Sequence, residues 1–368
     1  MRIDALSQIL FQTNYIRHVN EQAFIDLISG RQQGTLPSLA RFGLRCLSPI
    51  YAGATHLRNA GYEYGVSTSQ QVDIPVISVG NITTGGTGKT PVVAFVVNQL
   101  LDEGHRPCIL SRGYRAMDDD GNDEKRLLER LCPGVPHIQN PDRVTGAEQA
   151  IEDHNANVLV LDDGFQHRRL ARDLDIVLID ATNPFGHEYV LPRGLLREPL
   201  NGLHRAHVLG ITRCDQVSPE ELNDIRSALV PFEKPIVEIA FEPTCLVDRA
   251  GEHHTLAAFG GKIGAFCGIG NPDGFRRTLE SLDLELAFCE AFGDHCEYGH
   301  VEIHRVKSLV HEHQPSSVLC TEKDLVKLTE TDFGVPSFAV RVECVILQNA
   351  AAVADAIAQT SCRYSDGS

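Results

Sequence analysis

No C-x-x-C pair occurs anywhere in this 368-residue chain, although it holds eleven cysteines scattered from Cys46 to Cys362. An odd number at irregular spacing reads as buried or free thiols in a reducing cytoplasm, and argues against both a disulfide framework and a structural zinc site. Long apolar runs are missing too. No stretch approaches eighteen uninterrupted apolar residues and the N-terminus lacks a charged-then-apolar pattern, so neither a membrane span nor a secretory leader is expected. Positive charge is in deficit: 33 Lys and Arg against 49 Asp and Glu leave a formal net charge of -16. That balance disfavours a protein that grips nucleic acid by general electrostatics. What remains is ordinary globular usage, 42% hydrophobic and 22% charged, in a chain long enough for two domains and a sizeable core.

Acidic residues are locally absent as well. From Leu27 to Tyr62 there is no Asp or Glu, while Arg31, Arg41, Arg45 and Arg58 all fall inside. On a helical wheel Leu36, Leu39, Ala40, Leu44, Leu47, Ile50 and Tyr51 share one arc, with Ser38, Arg41, Arg45 and Ser48 opposite. Pro49 is expected to break the pattern, with Ser48 capping a second short helix. A basic amphipathic segment of this kind suits a membrane interface. It suits equally a helix packed on the protein's own core.

After Gln71 short apolar runs alternate with helical patterns. Ile74 to Val79, Cys108 to Leu110, Val158 to Leu161, Leu174 to Ile179 and Val208 to Ile211 read as strands, and Val92, Val93, Val96, Val97 and Leu100 mark a helix stripe. The alternation predicts an α/β fold, a mostly parallel sheet with helices on both faces whose ligands bind at the carboxyl ends of the strands. Around Pro235 to Leu256 two extended runs flank a turn at Arg249-Ala250-Gly251, which reads as a β-ribbon. A second, smaller α/β unit follows, with strands near Gly264 to Cys267, Ser317 to Cys320 and Ser337 to Val340. The expected organisation is a helical segment (1–70), a core (71–235), a ribbon hinge (236–258) and a C-terminal lobe (259–368).

The sharpest motif is Gly80-Asn81-Ile82-Thr83-Thr84-Gly85-Gly86-Thr87-Gly88-Lys89-Thr90. It follows a predicted strand and opens a predicted helix, where a phosphate-binding loop (P-loop) belongs. Glycines let backbone N–H groups turn toward phosphate oxygens, Lys89 reaches the outer phosphates and the Thr90 hydroxyl ligates Mg²⁺. Residues Thr83 through Thr90 are the candidate nucleotide contacts, with Thr83 standing where the strict pattern has its first glycine. The run Val158 to Asp162-Asp163 then places two carboxylates at a strand end, suited to holding Mg²⁺ beside such a loop.

In combination with Leu110-Ser111-Arg112-Gly113-Tyr114, Asp162-Asp163-Gly164-Phe165-Gln166-His167, Leu191 through Leu200 and Gly268-Ile269-Gly270-Asn271-Pro272, the P-loop run resembles the tetraacyldisaccharide 4′-kinases, the lipid A 4′-kinases of Gram-negative envelopes. Asp180 with Pro184-Phe185-Gly186, Asp294-His295 and Thr321-Glu322-Lys323-Asp324 complete the set, in the family's order from about Leu36 onward. The resemblance implies a P-loop NTPase-like core, transfer of the ATP γ-phosphoryl group to the 4′-hydroxyl of an acylated glucosamine disaccharide, and an N-terminal helix on the cytoplasmic face of the inner membrane. It implies ATP and Mg²⁺ as cofactors, the lipid and an anionic membrane surface as partners, and no protein partner. By residue matching it places Lys89 on the γ-phosphate, Thr90, Asp162 and Glu198 around magnesium, and Arg197 on a phosphate or the substrate.

Two matches depart from the family's pattern. Asp123 in Gly121-Asn122-Asp123-Glu124-Lys125 answers to the catalytic carboxylate, with an inserted Asn and no Pro, and it follows an acidic run that would also suit a solvated loop. Asp294-His295-Cys296 keeps only the first His of its signature, and His295 is the expected partner of Asp123, with Asp163 as the rival base. Thr321 to Asp324 would contact a ligand or cap a helix, and Thr212-Arg213-Cys214-Asp215 faintly resembles the base-reading tetrad of GTPases. Rival readings are a metallochaperone-type P-loop GTPase, which the absent cysteine pair disfavours, and a peripheral membrane scaffold.

Overall fold

The fold was analysed in a computed structural model that describes residues 23–113, 123–256, 261–328 and 331–362. The first long helix, α1 (Thr35–Glu63), is followed by β1 (Val76–Asn81), α2 (Lys89–Asp102), β2 (Pro107–Ser111), α3 (Asp123–Leu131), β3 (His137–Gln139), α4 (Arg143–His154), β4 (Val158–Asp162), β5 (Leu174–Asp180) and β6 (Val208–Thr212). Next come α5 (Pro219–Leu229), β7 (Ile236–Val247) and β8 (His253–His254). The last part comprises β9 (Lys262–Cys267), α6 (Pro272–Glu280), β10 (Glu285–Ala291), α7 (His300–His313), β11 (Ser317–Thr321), α8 (Glu322–Leu325), β12 (Ser337–Gln348) and α9 (Ala350–Cys362).

Strands β1, β2, β4, β5 and β6 are buried along their whole length, which is why they read as continuous apolar runs rather than alternations. They pair in parallel, and the full sheet runs β10-β9-β11-β12-β7-β6-β5-β1-β4-β2-β3. The expected P-loop NTPase-like core with a smaller C-terminal α/β lobe is what the topology shows. Helix α2 packs its Val92, Val93, Val96, Val97 and Leu100 stripe onto the sheet together with Ile77, Val160 and Ile239. The C-terminal lobe has its own core around Phe266, Val306, Val318 and Leu325.

The ribbon differs from expectation. The turn lies where predicted, with Gly251 left-handed at φ 87°, but the return strand β8 is two residues long. The main antiparallel partner of β7 is β12, from Ala339 opposite Val247 to Gln348 opposite Glu238. Val342, Cys344 and Ile346 alternate onto the same core as Phe241, so β12 continues well past the predicted Val340.

Helix α1 also departs from its prediction. It runs through Pro49 without a break, because its polar face is docked on the core. The Ser48 hydroxyl donates to the Val190 carbonyl at 2.9 Å and Tyr51 donates to the Arg197 carbonyl at 3.1 Å. Asn59 donates to Glu198 at 3.1 Å. These contacts offset the one helical hydrogen bond that Pro49 removes. Apart from Tyr51, which turns to the docked side, and the half-buried Leu44, the apolar arc consequently faces out, with Leu36 78%, Ile50 70% and Leu57 73% exposed. Arg41 is not a free cation, since it donates to the Gln32 carbonyl at 2.7 Å, and Arg45 sits over the Tyr189 ring.

Candidate active site

A cavity of about 1140 Å³ opens between the core and the C-terminal lobe at the carboxyl ends of β1, β4 and β11. One wall is the loop from Thr83 to Thr90. Thr83 pairs with Leu196 in a single bridge and Thr84 N–H donates to the Leu195 carbonyl at 2.8 Å, so the loop is braced by the segment that carries Arg197. Gly88 takes φ 80° at the start of α2, and a Cβ there would lie 2.3 Å from the Phe241 ring. Both facts require glycine. Asn81 Nδ2 donates to Thr87 Oγ1 at 3.0 Å and Thr212 Oγ1 to the Thr87 carbonyl at 3.0 Å, which fixes the loop from beneath.

Asp162 and Asp163 end β4 in different states. Asp162 is buried, its Oδ1 has no hydrogen-bond partner, and burial followed by the Glu124 charge pushes its pKa up to about 7. Asp163 is also enclosed, but the cations of Lys89, 3.6 Å away, and Arg197, at 2.8 Å, outweigh that burial and hold its pKa low. Gln166 links the group, accepting from Arg197 at 3.3 Å and donating to Glu198 at 3.0 Å. Glu198, expected near magnesium, is fully buried, with Oε1 accepting from Gln166 and Oε2 from Asn59 and Arg205. Through Gln166, which accepts from Arg197, it is linked to the Arg197 side chain.

The same cavity brings Asp123 and His295 together, from the start of α3 and from the C-terminal lobe. His295 Nδ1 lies 3.3 Å from Asp123 Oδ2, and Lys327 Nζ is 3.0 Å from the same oxygen. Burial would raise the Asp123 carboxyl, yet the His295 hydrogen bond and the Lys327 and Lys323 charges hold it well below the usual carboxylate range. Lys323 reaches Asp294 at 3.6 Å and Glu124 at 3.9 Å. Burial alone would lower its pKa, but the negative charges of Asp294, Glu124 and Asp123 raise it. His295 is held at φ 56°, an uncommon conformation that fixes its ring direction. Cys296, where the family signature has a second His, is buried with Phe266 and Tyr298 and faces the lobe's core.

The motif Thr321 to Asp324 divides its duties. Thr321 caps α8 and donates to Asp324 at 2.6 Å, Asp324 accepts from Gly268 N–H at 3.1 Å, and Lys323 lines the cavity. The Thr212 to Asp215 run does not read a base by way of Arg213. That guanidinium pairs with Asp180 and donates to the Gly86 carbonyl at 3.0 Å, a brace on the P-loop that no spacing had announced. Lys327 and the cavity-lining Phe241 are neighbours of the site that sequence reasoning missed, and Arg213 was singled out only as part of a tetrad, not for its hold on the P-loop.

A family model described as Tetraacyldisaccharide-1-P 4′-kinase matches residues 40–361. The chain belongs to this family. Among relatives, the tetraacyldisaccharide 4′-kinase of Anaeromyxobacter dehalogenans is 39% identical over 314 residues, covering 80% of this chain and 83% of the relative. That of Halothermothrix orenii is 33% identical over 345 residues, covering 85% and 89%. The crystal structure of LpxK from Aquifex aeolicus in complex with ATP superposes with a TM-score of 0.69 at 28% identity, over 88% of this chain and 99% of the other. The activity of the tetraacyldisaccharide 4′-kinases, ATP-dependent phosphorylation in lipid A biosynthesis, is the activity of this chain. The GTPase reading is set aside. Among the described residues, no group of three or more His, Cys, Asp and Glu is placed to hold a metal ion.

Proposed function

We propose that the transfer runs across the cavity, with the γ-phosphoryl group held by the P-loop wall and the 4′-hydroxyl presented by the lobe that carries His295. The observation that carries this is the convergence of Lys89 and the Asp123–His295 pair on one cavity. Lys89 and Arg197 face the transferring group and neutralise charge on its oxygens, while the Gly85 to Gly88 backbone cradles the phosphates. The acceptor oxygen forms its bond to phosphorus as the bond to the β-phosphate oxygen breaks, and Asp123 takes the hydroxyl proton. A carboxylate held so far ionised accepts that proton late, when the hydroxyl has become acidic, which suits a loose transition state. His295 orients the carboxylate.

A magnesium ion fits the residues present. The unpartnered Asp162 oxygen and the Thr90 hydroxyl would hold it, the remaining positions going to phosphate and water, as this ion prefers few protein ligands. When bound it supplies charge neutralisation between the phosphates.

The outward apolar arc of α1 lies in the interface of an anionic membrane, at the cytoplasmic face of the inner membrane where ATP is available. No described helix is long and apolar enough to cross a membrane, whereas a helix with its polar face docked and its apolar face bare suits lying on one. The test is transfer of labelled γ-phosphate to an acylated glucosamine disaccharide 1-phosphate in anionic vesicles. Label should appear in the lipid, with little released when the lipid is omitted. Equal ATP hydrolysis with and without acceptor would defeat the proposal.

A further inference from the structure

One side chain of the C-terminal lobe at the cavity edge crosses to the core without bonding to either the Lys89 or the Asp123 group. Asn271 caps α6, its Oδ1 accepting from Gly274 N–H at 2.9 Å. That leaves its amide nitrogen free to donate, and it donates to Thr182 Oγ1 at 3.1 Å and, more weakly, to Asp180 Oδ2 at 3.5 Å, both across the lobe boundary. Thr182 is oriented to receive it, since its hydroxyl donates to Asp180 Oδ1 at 2.7 Å and its N–H to the same oxygen at 3.0 Å. The other Asp180 oxygen pairs with Arg213, which holds the Gly86 carbonyl. A relay of four side chains therefore joins the start of α6 to the crown of the phosphate loop.

The neighbouring residue makes the contact close. A Cβ at Gly270 would lie 3.0 Å from the Gly86 nitrogen and 3.0 Å from Asp294 Oδ2, beside His295. The dipeptide Gly270-Asn271 thus touches the nucleotide loop on one side and the His295 segment on the other. Capping alone does not explain an Asn here, because Ser, Thr and Asp cap as well. Asn combines an acceptor for the cap with a donor for a second partner on one short side chain.

We propose that Asn271 is a positioning residue that latches the C-terminal lobe onto the Asp180–Thr182 turn, setting the His295 wall in register with the P-loop wall. The proposal rests on the kinase reading, but not on which carboxylate takes the acceptor's proton. Asn271→Ser keeps a cap and cannot reach Thr182; Thr182→Val removes the acceptor and leaves the cap untouched. Each should lower kcat by about 10- to 100-fold, the scale of a small misplacement of reacting groups, with little change in the KM for ATP or in Tm. The double variant Asn271→Ser/Thr182→Val should be scarcely slower than Asn271→Ser alone, because that change already removes the hydrogen bond that Thr182→Val removes. Asn271→Asp, which sets a carboxylate against Asp180, should show a larger radius of gyration than the unaltered protein by small-angle X-ray scattering. Normal kcat in Asn271→Ser, with a lowered Tm in Asn271→Ala, would mean that the residue only caps α6 and would overturn the proposal. Additive losses, or equal radii of gyration, would overturn it also. If the unaltered protein failed to phosphorylate the glycolipid, the kinase reading would fall, and the scattering comparison would still judge the latch.

Discussion

Replacing Asp123 by Asn, His295 by Ala, and both together tests how the acceptor hydroxyl is activated. The geometry sets an order of effects. Asp123 keeps two lysine cations when His295 is removed, and the His295 contact, at 3.3 Å, is longer than the 3.0 Å Lys327 contact on the same oxygen. Loss of the carboxylate charge removes the proton acceptor outright, and general-base contributions run about 10² to 10⁴. Asp123→Asn should therefore cost about 10³ in kcat, and His295→Ala about 10², since the oriented carboxylate survives in part. The double variant should match Asp123→Asn within about threefold, because His295 acts through the group already lost. The assay is single-turnover transfer of labelled phosphate to the acylated disaccharide at saturating ATP, with Tm recorded to exclude unfolding. Multiplicative losses in the double variant would show two independent roles. Near-normal transfer by Asp123→Asn would refute the reasoning and point to Asp163.

Lys89→Ala should lower kcat far more than ATP affinity, because the glycine backbone still cradles the phosphates; nucleotide titration beside turnover separates the two. Glu at both Leu39 and Ile50, on the exposed arc, should abolish flotation with anionic vesicles while leaving Tm unchanged, whereas unaffected flotation would remove α1 from the membrane contact. His137 is buried, and that burial lowers its pKa from 6.5 to about 4. The folded state then resists a proton that the unfolded chain accepts, so stability is complete above pH 6.5 and declines as pH falls toward 4. At 1.36 kcal/mol per unit the loss attributable to His137 is of order 3 kcal/mol. His137→Gln should flatten that part of a denaturation series between pH 7 and 4.

Central strands were legible because burial on both faces leaves apolar runs such as Val158 to Leu161, and the P-loop because its chemistry is local. What escaped was set by partners distant in sequence. Strand β3 is only three residues long, and β10 lies at the sheet edge with a half-exposed pattern that no alternation marks. The helical wheel found both arcs of α1 but could not say which one faced the core; contacts from Val190, Arg197 and Glu198, more than a hundred residues away, decided it. The same remoteness hid Lys327 on Asp123 and Arg213 on Gly86. The hydrogen bonds to Glu198, which family matching alone had placed near magnesium, come from three donors in three separate segments and could not be read from its neighbours in sequence.

The inverted docking of α1 has an energetic consequence for the substrate. Tyr51 and Asn59 tie this helix to Arg197 and Glu198, so with α1 on a membrane as proposed, the level of the bilayer surface would be fixed relative to the phosphate-binding wall. A glycolipid can then offer its sugar to the cavity while its tails stay in the leaflet. Lifting those tails into water would cost about 0.8 kcal/mol for each methylene, a penalty that would grow with every lengthening of the chains. An enzyme resting on the membrane at fixed height, as proposed for this one, would avoid that dependence, and its discrimination among lipids would then fall on the sugar and its phosphate rather than on tail length.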